Sequence, residues 1–358
     1  MTHASLSSRQ CIQWIWKANA EPWSSSSEPT EWRSYSDIET AIIEEAFKNK
    51  LPGVLLDDYY VNLKQFVQIS NINENSQRPI KRIVKEREEG RLREERFLSQ
   101  PVLSLELCTN AVLTSQRFFV PLDNTFDLDT ENETARRILV NKAAEGIIIE
   151  GKMIGKRREA EWIAEQLLKV REGTESQVWQ CCVRLYSMES FLYKKMNEYM
   201  RLVGDTKHEA LWRGKVPTYG PFAYLLFSTR HDYSGGLRTV YRGTNLPSDL
   251  IEQYQKNCIH FSRSYTYDDL FGFRINFPAF TSTSENRAKA EAFGNVLFVI
   301  EISSSDGVNI SSYSDYDEEE ILLDPTFVFW ITSCTHDDTK NKWIIHLHSG
   351  AVKHPLII

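Results

Sequence analysis

The sequence predicts an α+β fold in which a helical cluster precedes a strand-rich half. From about Glu133 onward, apolar residues recur at helical spacing, as Trp162, Ile163 and Leu167 do on one face. After about Leu211 the chain turns to short runs of aromatic and β-branched residues, which are typical of strands. Alternating helices and strands would instead indicate βα units and a parallel sheet.

Length and composition indicate a globular protein of two domains. The chain has 358 residues, of which 41% are hydrophobic and 25% charged. A net charge of −7 argues against broad nucleic-acid binding. No apolar run approaches the roughly 18 residues of a membrane-spanning helix. The N-terminal stretch does not have the pattern of a signal peptide, so we expect a cytoplasmic or nuclear protein without membrane contact. The six cysteines lack paired spacing, so no metal is expected.

The first part of the chain predicts strands packed around one helix. The segment Asp37 to Lys48 has helical spacing, with Asp37 as the expected N-cap. The segments VLLDDYYVNLKQFVQIS and RPIKRIVK, which follow, have the composition of strands. Residues 89–131 fit no regular pattern and are predicted as a linker, with their role left open.

The second half contains a series of predicted strands. In chain order they are YLLFSTR (224–230), LRTVYRG (237–243), INFPAFTSTS (275–284), NVLFVIEIS (295–303), EEEILLDP (318–325), TFVFWITSC (326–334) and KWIIHLH (342–348). Three of these runs also carry residues suited to chemistry.

The first is TVYRGTN, which places Arg242 at the end of a strand and Gly243 after it. A guanidinium fork there could grip a pyrophosphate with two hydrogen bonds, and the glycine would let a ligand approach the backbone. The alternative is an ordinary exposed surface arginine.

The second run is FPAFTSTS, a strand that ends in several hydroxyl side chains. Ser284 has a plain structural explanation as the N-cap of the next helix. Ser282 lies two residues earlier on the strand, so capping does not explain it.

The third run is DYDEEEILLDP, with three consecutive glutamates. A charge run of this kind is usually a solvated turn. In an extended chain, however, Glu318 and Glu320 would share one face and Glu319 would point away. Two such carboxylates suit glycosyl chemistry, in which one steadies the sugar and the other handles a proton.

These runs occur in the order arginine, serine, glutamate, and in that order they resemble the Arg-Ser-Glu class of mono-ADP-ribosyltransferases over about residues 132–358. The resemblance implies a helical part followed by a split β-sandwich that binds NAD. It implies that Arg242 holds the NAD pyrophosphate, that Ser282 orients the catalytic carboxylate and that Glu320 binds the ribose and stabilises its positive charge. Glu318 would position the acceptor guanidinium and take its proton.

In this family a glutamate at the position of Glu318 marks arginine specificity. The resemblance therefore implies transfer of ADP-ribose from NAD to arginine side chains of proteins, with NAD as a substrate and no metal. Gly243 is also expected at the NAD site, and Phe293 lies either beside the nicotinamide or in the core. Two alternatives stay open: an ADP-ribose reader or scaffold with weak catalysis, and an enzyme that mainly hydrolyses NAD.

The N-terminal segment, about residues 3–88, resembles a WWE domain, a half-barrel of strands with one helix. The resemblance rests on WIW, WRSY, IETAIIEEAF, YYVNLKQFVQ and RPIKR. Many domains of that family bind the iso-ADP-ribose unit of poly-ADP-ribose. The resemblance implies ligand contacts from Tyr35, Tyr59, Gln68 and Arg78, and it implies poly-ADP-ribosylated proteins as partners. The tryptophans of the segment are interpreted as core.

Overall fold

The protein is described here as a computed structural model. The residues that the structure describes are 10–24, 29–86, 132–228, 236–258, 275–303 and 306–349, with 93, 96, 97, 99, 101, 102, 105 and 117–119. Among these residues no helix combines the length and the apolarity that a membrane span needs.

The N-terminal module is a six-stranded sheet with one helix against it. Its elements are β1 Gln10–Lys17, β2 Trp32–Ser34, α1 Asp37–Lys48, β3 Gly53–Leu55, β4 Tyr59–Asn62, β5 Val67–Ser70 and β6 Gln77–Glu86. The strand order is β2-β1-β6-β5-β4-β3, and every pair is antiparallel. Trp14 on β1 is fully buried in the core, and its indole N–H donates to a Glu44 carboxylate oxygen on α1 at 3.1 Å.

Helix α1 begins one residue earlier than an N-cap at Asp37 would require. Ser36 is the N-cap: its side chain accepts from the Glu39 backbone N–H, and the Glu39 side chain accepts from the Ser36 backbone N–H. This reciprocal capping box satisfies two backbone donors, so it outcompetes a single cap from Asp37. Asp37 is therefore the first helical residue, and its carboxylate is available for other contacts.

A helical cluster follows. Its helices are α2 Glu133–Met153, α3 Arg157–Lys169, α4 Glu175–Ser187, α5 Phe191–Met200 and α6 Glu209–Phe227. The strand predicted at 224–230 is wrong: its first four residues end α6, Ser228 caps it and residues 229–230 lie outside the described part. The apolar run YLLF has strand composition, but Phe222 and Leu226 lie one helical turn apart and both are buried in the helical core.

The strand-rich half forms an eight-stranded sheet. Its elements are β7 Arg238–Thr244, α7 Ser248–Lys256, β8 Ile275–Asn276, β9 Thr281–Ser284, α8 Arg287–Glu291, β10 Val296–Ile302, β11 Gly307–Asn309, β12 Glu320–Leu323, β13 Val328–Asp337 and β14 Lys342–His348. The order is β11-β12-β9-β7-β10-β14-β13-β8, and only the β10–β14 pair is parallel among the described strands. The neighbours β12, β9 and β7 are the strands that carry the three predicted motifs.

Described positions of the predicted linker pack against the second module. Val102 and Leu105 are buried in the core of the strand-rich half, and the Leu105 N–H donates to the Gln253 side chain at 3.1 Å. Phe118 and Phe119 are buried in the helical core. These positions therefore belong to the body of the second module.

The two modules also contact each other directly. Asp37 accepts hydrogen bonds from the Glu189 backbone N–H at 2.6 Å and from the Tyr316 hydroxyl at 2.8 Å. The Asp57 carboxylate accepts from the backbone N–H groups of Arg158 and Glu159, at 2.7 and 3.2 Å. Carboxylates of the first module thus bind backbone donors of the second, which is a charge-assisted arrangement.

Candidate active site

Three adjacent strands bring the predicted site residues together. On β9 and β12, Glu320 pairs with Ser284 and Leu322 pairs with Ser282, so these side chains share one face of the sheet. From β7, the Arg242 guanidinium donates to the Ser282 backbone oxygen at 2.7 Å. Arg242, Ser282 and Glu320 are all buried. Residues far apart in the sequence therefore meet in one cleft.

The three consecutive glutamates divide as their alternation predicted. Glu318 and Glu320 are buried, whereas the Glu319 side chain is 44% exposed. Glu319 has a left-handed φ of 48°, which lets the loop turn just before β12 begins. The Glu319 carboxylate meets the Lys289 ammonium and the Asn286 amide, at 2.9 and 3.0 Å, on the outer side of the loop.

Ser284 is not the N-cap of helix α8, contrary to its plain structural explanation. It is the last residue of β9, and Asn286 caps the helix through hydrogen bonds from the Ala288 and Lys289 N–H groups. The Ser284 hydroxyl donates to the Glu318 backbone oxygen at 2.6 Å. This serine therefore fixes the loop that carries Glu318.

Arg242 is a buried cation whose hydrogen-bond partners in the described part of the chain are all neutral oxygens. It donates to the backbone oxygens of Ser282, Ser99 and Arg96 at 2.7, 2.7 and 3.3 Å and to the Ser99 hydroxyl at 3.2 Å. Within the described residues no carboxylate forms an ion pair with it, and its Nε atom has no hydrogen-bond partner. Burial, followed by the nearby charge of Arg201, lowers the pKa of Arg242 to about 9. The site is electrostatically suited to an anion.

Gly243 is a glycine because the chain itself leaves no room for a side chain. A Cβ atom there would lie 2.0 Å from the Ala290 backbone oxygen and 2.7 Å from that of Phe293. The backbone around α8 thus lies close to Gly243, and the lack of a side chain at this position lets β7 pack against that backbone.

The two buried carboxylates face two arginines from the predicted linker. The Arg93 Nε atom lies 3.1 Å from a Glu318 oxygen, and its Nη2 atom contacts the other oxygen, in a bidentate pair. The same Nη2 atom is 3.4 Å from Glu320. The Arg96 Nε atom lies 2.8 Å from the second Glu320 oxygen. All four side chains are buried, so each charge is compensated by its oppositely charged neighbours rather than by water.

The electrostatics follow from this pairing. Burial would raise the pKa of Glu320, but Arg96, Arg93 and a hydrogen bond from Ser282 together hold it below its ordinary value. Burial likewise opposes the charge of Arg93, yet Glu318 and then Glu320 raise the pKa of that guanidinium. Glu320 and Arg93 are therefore charged in the folded protein.

Aromatic side chains enclose the arginine pair. The Arg93 guanidinium lies 4.0 Å from the centre of the Tyr316 ring, and that of Arg96 lies 4.7 and 4.8 Å from the rings of Tyr186 and Tyr193. Such cation–π contacts strengthen when water is excluded.

Two further linker positions reach the cleft. The ring of Phe97 stacks on that of Phe293, with centroids 5.5 Å apart and planes inclined by 13°. Ser99 supplies its carbonyl and hydroxyl oxygens to Arg242. Sequence reasoning missed Arg93, Arg96, Phe97 and Ser99. A local signal did exist, since RLREERF interrupts a charge-dense run with apolar residues.

In the N-terminal module, the predicted ligand residues Tyr35 and Gln68 contact each other, and Gln68 and Arg78 lie on paired strands. The Tyr35 hydroxyl donates to the Gln68 carbonyl oxygen at 2.5 Å, and the Gln68 amide nitrogen is buried with no hydrogen-bond partner in the described chain. Arg78 is directly opposite Gln68 on β6 and donates to backbone oxygens of Lys17 and Asn19.

The fourth residue, Tyr59, is half-buried on β4. It lies two residues from Val61, which pairs with Gln68, so Tyr59 and Gln68 share a face of the sheet. Burial, and then the neighbouring Glu39 and Tyr59, raise the pKa of Tyr35. Tyr35 thus contacts Gln68, and Tyr59 and Arg78 lie on the neighbouring strands on either side of Gln68.

Comparison with known proteins agrees with both modules. Residues 165–354 match the family model of the NAD:arginine ADP-ribosyltransferases, and residues 12–82 match that of the WWE domain. A protein of Mycobacterium avium (strain 104) is 38% identical over 112 residues; its name, NAD(+)--arginine ADP-ribosyltransferase Mav, is marked there as provisional. The alignment covers 30% of this chain and only 12% of that protein.

Solved structures of low identity also resemble the chain. Exoenzyme S from Pseudomonas aeruginosa, bound to carba-NAD and human 14-3-3 protein beta, is 17% identical; the match covers 61% of this chain and 92% of that one, with a TM-score of 0.37. HopU1 of Pseudomonas syringae pv. tomato DC3000 is 19% identical over 71% of this chain and 99% of its own, with a TM-score of 0.38. The assignment rests on the sequence, because the transferase family model spans more than half of it: the chain belongs to the NAD:arginine ADP-ribosyltransferase family.

Proposed function

We propose that this protein transfers ADP-ribose from NAD to arginine side chains of proteins and releases nicotinamide. The observation that carries the proposal is a buried Arg242, which no carboxylate of the described residues pairs with, in the same cleft as two buried carboxylates, Glu318 and Glu320. A site of this kind offers one end to phosphate and the other to developing positive charge.

The arginine end fits the pyrophosphate of NAD. Arg242 has a buried charge that neutral oxygens satisfy only in part, and a phosphate would supply the missing counter-charge. A cavity of about 190 Å³ adjoins it and is lined by Arg201, Tyr186 and Ser282, among others. Arg201 adds a second cation to this end, so both arginines would hold the donor.

The carboxylate end fits the sugar chemistry. Glu320 would bind the ribose hydroxyl and stabilise the positive charge on the anomeric carbon as its bond to nicotinamide breaks and the electron pair leaves with nicotinamide. The Ser282 hydroxyl bonds to Glu320 and so fixes its orientation. Ser282 is thus proposed as a positioning residue.

Glu318 would hold the acceptor. A free guanidinium is a poor nucleophile because it stays protonated, so a carboxylate must take its proton as the new bond to the anomeric carbon forms. Arg93 supports this role, because both oxygens of the Glu318 carboxylate already bind its guanidinium. Arg93 and Tyr316 also line a cavity of about 760 Å³ between the modules, which would give an acceptor its approach.

The N-terminal module is proposed to recognise the ADP-ribose unit of modified proteins. Its proposed bounds are about 3–88, and those of the second module are about 132–358, with described positions between 102 and 119 packed into the cores of the second module. The support is the unpartnered Gln68 amide beside Tyr35 and Arg78. Titration of the full chain with iso-ADP-ribose should show binding that Gln68→Ala removes. Gln65→Ala, an exposed change on the same module, is the matched control.

A second candidate is an ADP-ribose reader with weak turnover. It is favoured by the two arginines that already occupy Glu318 and Glu320. Labelled NAD with a small guanidino acceptor separates the candidates. A transferase releases nicotinamide and labels the acceptor, an NAD glycohydrolase releases nicotinamide alone, and a reader does neither.

A further inference from the structure

We propose that Arg93, Arg96, Phe97 and Ser99, here called the plug, form an internal competitor that occupies the acceptor and NAD positions of the active site. The inference rests on the proposed function, because that function defines the two positions. It adds a regulation: the enzyme binds its donor only when the plug leaves.

Arg93 occupies the place of an acceptor arginine. Its Nε and Nη2 atoms meet both Glu318 oxygens, its Nη1 atom donates to the Ser187 carbonyl, and its backbone N–H also donates to Glu318 at 2.9 Å. The Tyr316 ring covers it at 4.0 Å. Every polar atom that an incoming guanidinium would need is therefore already used.

Arg96 occupies the place of the sugar cation. Its Nε atom is 2.8 Å from Glu320 and its Nη1 atom is 3.0 Å from the Tyr186 carbonyl oxygen. A permanent positive charge at this carboxylate imitates the charge that the ribose develops during transfer. Ribose and Arg96 cannot both reach the same buried carboxylate.

Phe97 and Ser99 extend the plug toward Arg242. Phe97 lies nearly parallel to Phe293, as a flat aromatic group would. The Ser99 carbonyl takes the Arg242 donor at 2.7 Å and a Thr244 hydroxyl at 3.3 Å. Because Ser99 is neutral, it replaces a pyrophosphate poorly, and donor binding would displace the plug most easily here.

This arrangement predicts mutual exclusion. A ligand that binds only the open form has its apparent affinity reduced by the fraction of open molecules, so a plug closed 99% of the time would weaken NAD binding about 100-fold. Changes that weaken the plug raise affinity without adding any contact to NAD.

The first test measures binding of a non-hydrolysable NAD analogue to the full chain by calorimetry. We expect Arg96→Ala/Phe97→Ala to bind it at least about tenfold more tightly than the unchanged protein, since the open fraction rises. Arg157→Ala, an exposed arginine paired only with Glu161 among described carboxylates, is the control and should leave affinity unchanged. A synthetic peptide of residues 91–105 should then inhibit the double variant and raise its KM for NAD without lowering kcat.

The second test needs no variant, so it stands even if the double variant fails to fold. Amide hydrogen exchange of the fragment containing Arg93 to Ser99 is followed as the analogue is added. The Arg93 N–H is held by Glu318, so its protection should fall as the analogue saturates the site. Unchanged or increased protection at saturation overturns the plug.

The outcomes separate the two proposals. Equal affinity in the double variant and the unchanged protein, with loss of binding in Arg242→Ala, rejects the plug and retains the proposed function. No binding in any form rejects both. ADP-ribosylated Arg93 as the main product after incubation with NAD also overturns the plug, because Arg93 would then be an acceptor rather than a competitor.

Discussion

The two ends of the active-site cleft are filled in different ways. At one end, the carboxylates Glu318 and Glu320 meet two guanidinium groups of their own chain. At the other end, Arg242 donates only to neutral oxygens, those of Ser99, Ser282 and Arg96, among the described residues. The chain places an arginine where a cationic acceptor would bind, but among the residues that the structure describes no carboxylate takes the place of the pyrophosphate.

The difference concerns the cost of burial. A buried ion pair compensates the lost hydration of both partners, whereas a buried cation bound only to carbonyls keeps part of that cost. The carboxylate end is therefore stabilised in the closed form, and the arginine end gains most when an anion arrives.

The largest expected effect comes from removing the charge of Glu320. Glu320→Gln should reduce nicotinamide release by about 100-fold or more, because loss of a preorganised group at the developing charge has effects of that size. The control Glu319→Gln changes the adjacent exposed carboxylate. This variant should release nicotinamide at nearly the rate of the unchanged protein. Similar rates for the two variants would remove Glu320 from the site.

Glu318→Gln should separate two activities. Transfer to a guanidino acceptor should be lost, since no carboxylate takes the proton, while NAD hydrolysis continues. Labelled NAD, with the acceptor and free ADP-ribose quantified in the same reaction, measures both. Full arginine transfer by this variant would contradict the two-carboxylate mechanism.

At the opposite end, Arg242→Lys keeps the charge but loses the planar fork. A charged hydrogen bond is worth about 1.5–3 kcal/mol, so binding of a non-hydrolysable NAD analogue should weaken roughly 10- to 100-fold. Arg238→Lys on the same strand, where the side chain meets Glu285 and the Gly307 carbonyl, is the control. Calorimetry with both variants would show whether the fork or only the charge matters.

The smallest expected effect is in acid. The folded-state pKa of Glu320 lies below its ordinary value of 4.5, so its ionisation stabilises the fold above that pH, and the contribution is lost as pH falls through the lowered pKa. The melting temperature of the unchanged protein should therefore fall more steeply from pH 5 to pH 3 than that of Glu320→Gln. The difference should be a few degrees, at about 2–4 °C per kcal/mol. The melting temperature of Arg242→Lys should fall from pH 5 to pH 3 as steeply as that of the unchanged protein. A shallower fall in that variant would contradict the difference between the two ends of the cleft.

The sequence predicted the strands that carry Arg242, Ser282 and Glu320 because the signals for strands are local. Strand composition marked the runs that contain Arg242, Ser282 and Glu320, and the resemblance of their order to the Arg-Ser-Glu transferases led to the expectation of one cleft. Alternation also predicted which glutamates turn inward. The strand predicted at 224–230 was wrong, because burial among helices outweighs the β-propensity of YLLF.

The plug could not be predicted in the same way. Arg93 and Arg96 lie in a charge-dense run, and such runs are normally solvated. Their partners lie 225 and 224 residues away, and neither periodicity nor spacing carries information about pairing over that distance. What the pattern suggested was a linker, whereas the described positions are buried against both cores of the second module.

The position of Asp37 has a practical consequence for anyone who divides the chain. Its carboxylate binds the Tyr316 hydroxyl, and the Tyr316 ring covers Arg93, which in turn holds Glu318. A fragment that starts after the first module loses the hydrogen bond between Tyr316 and Asp37, next to the ring that covers the Arg93 guanidinium. The turnover of such a fragment would describe a candidate site without this contact, so the intact two-module chain is the meaningful unit for enzymology.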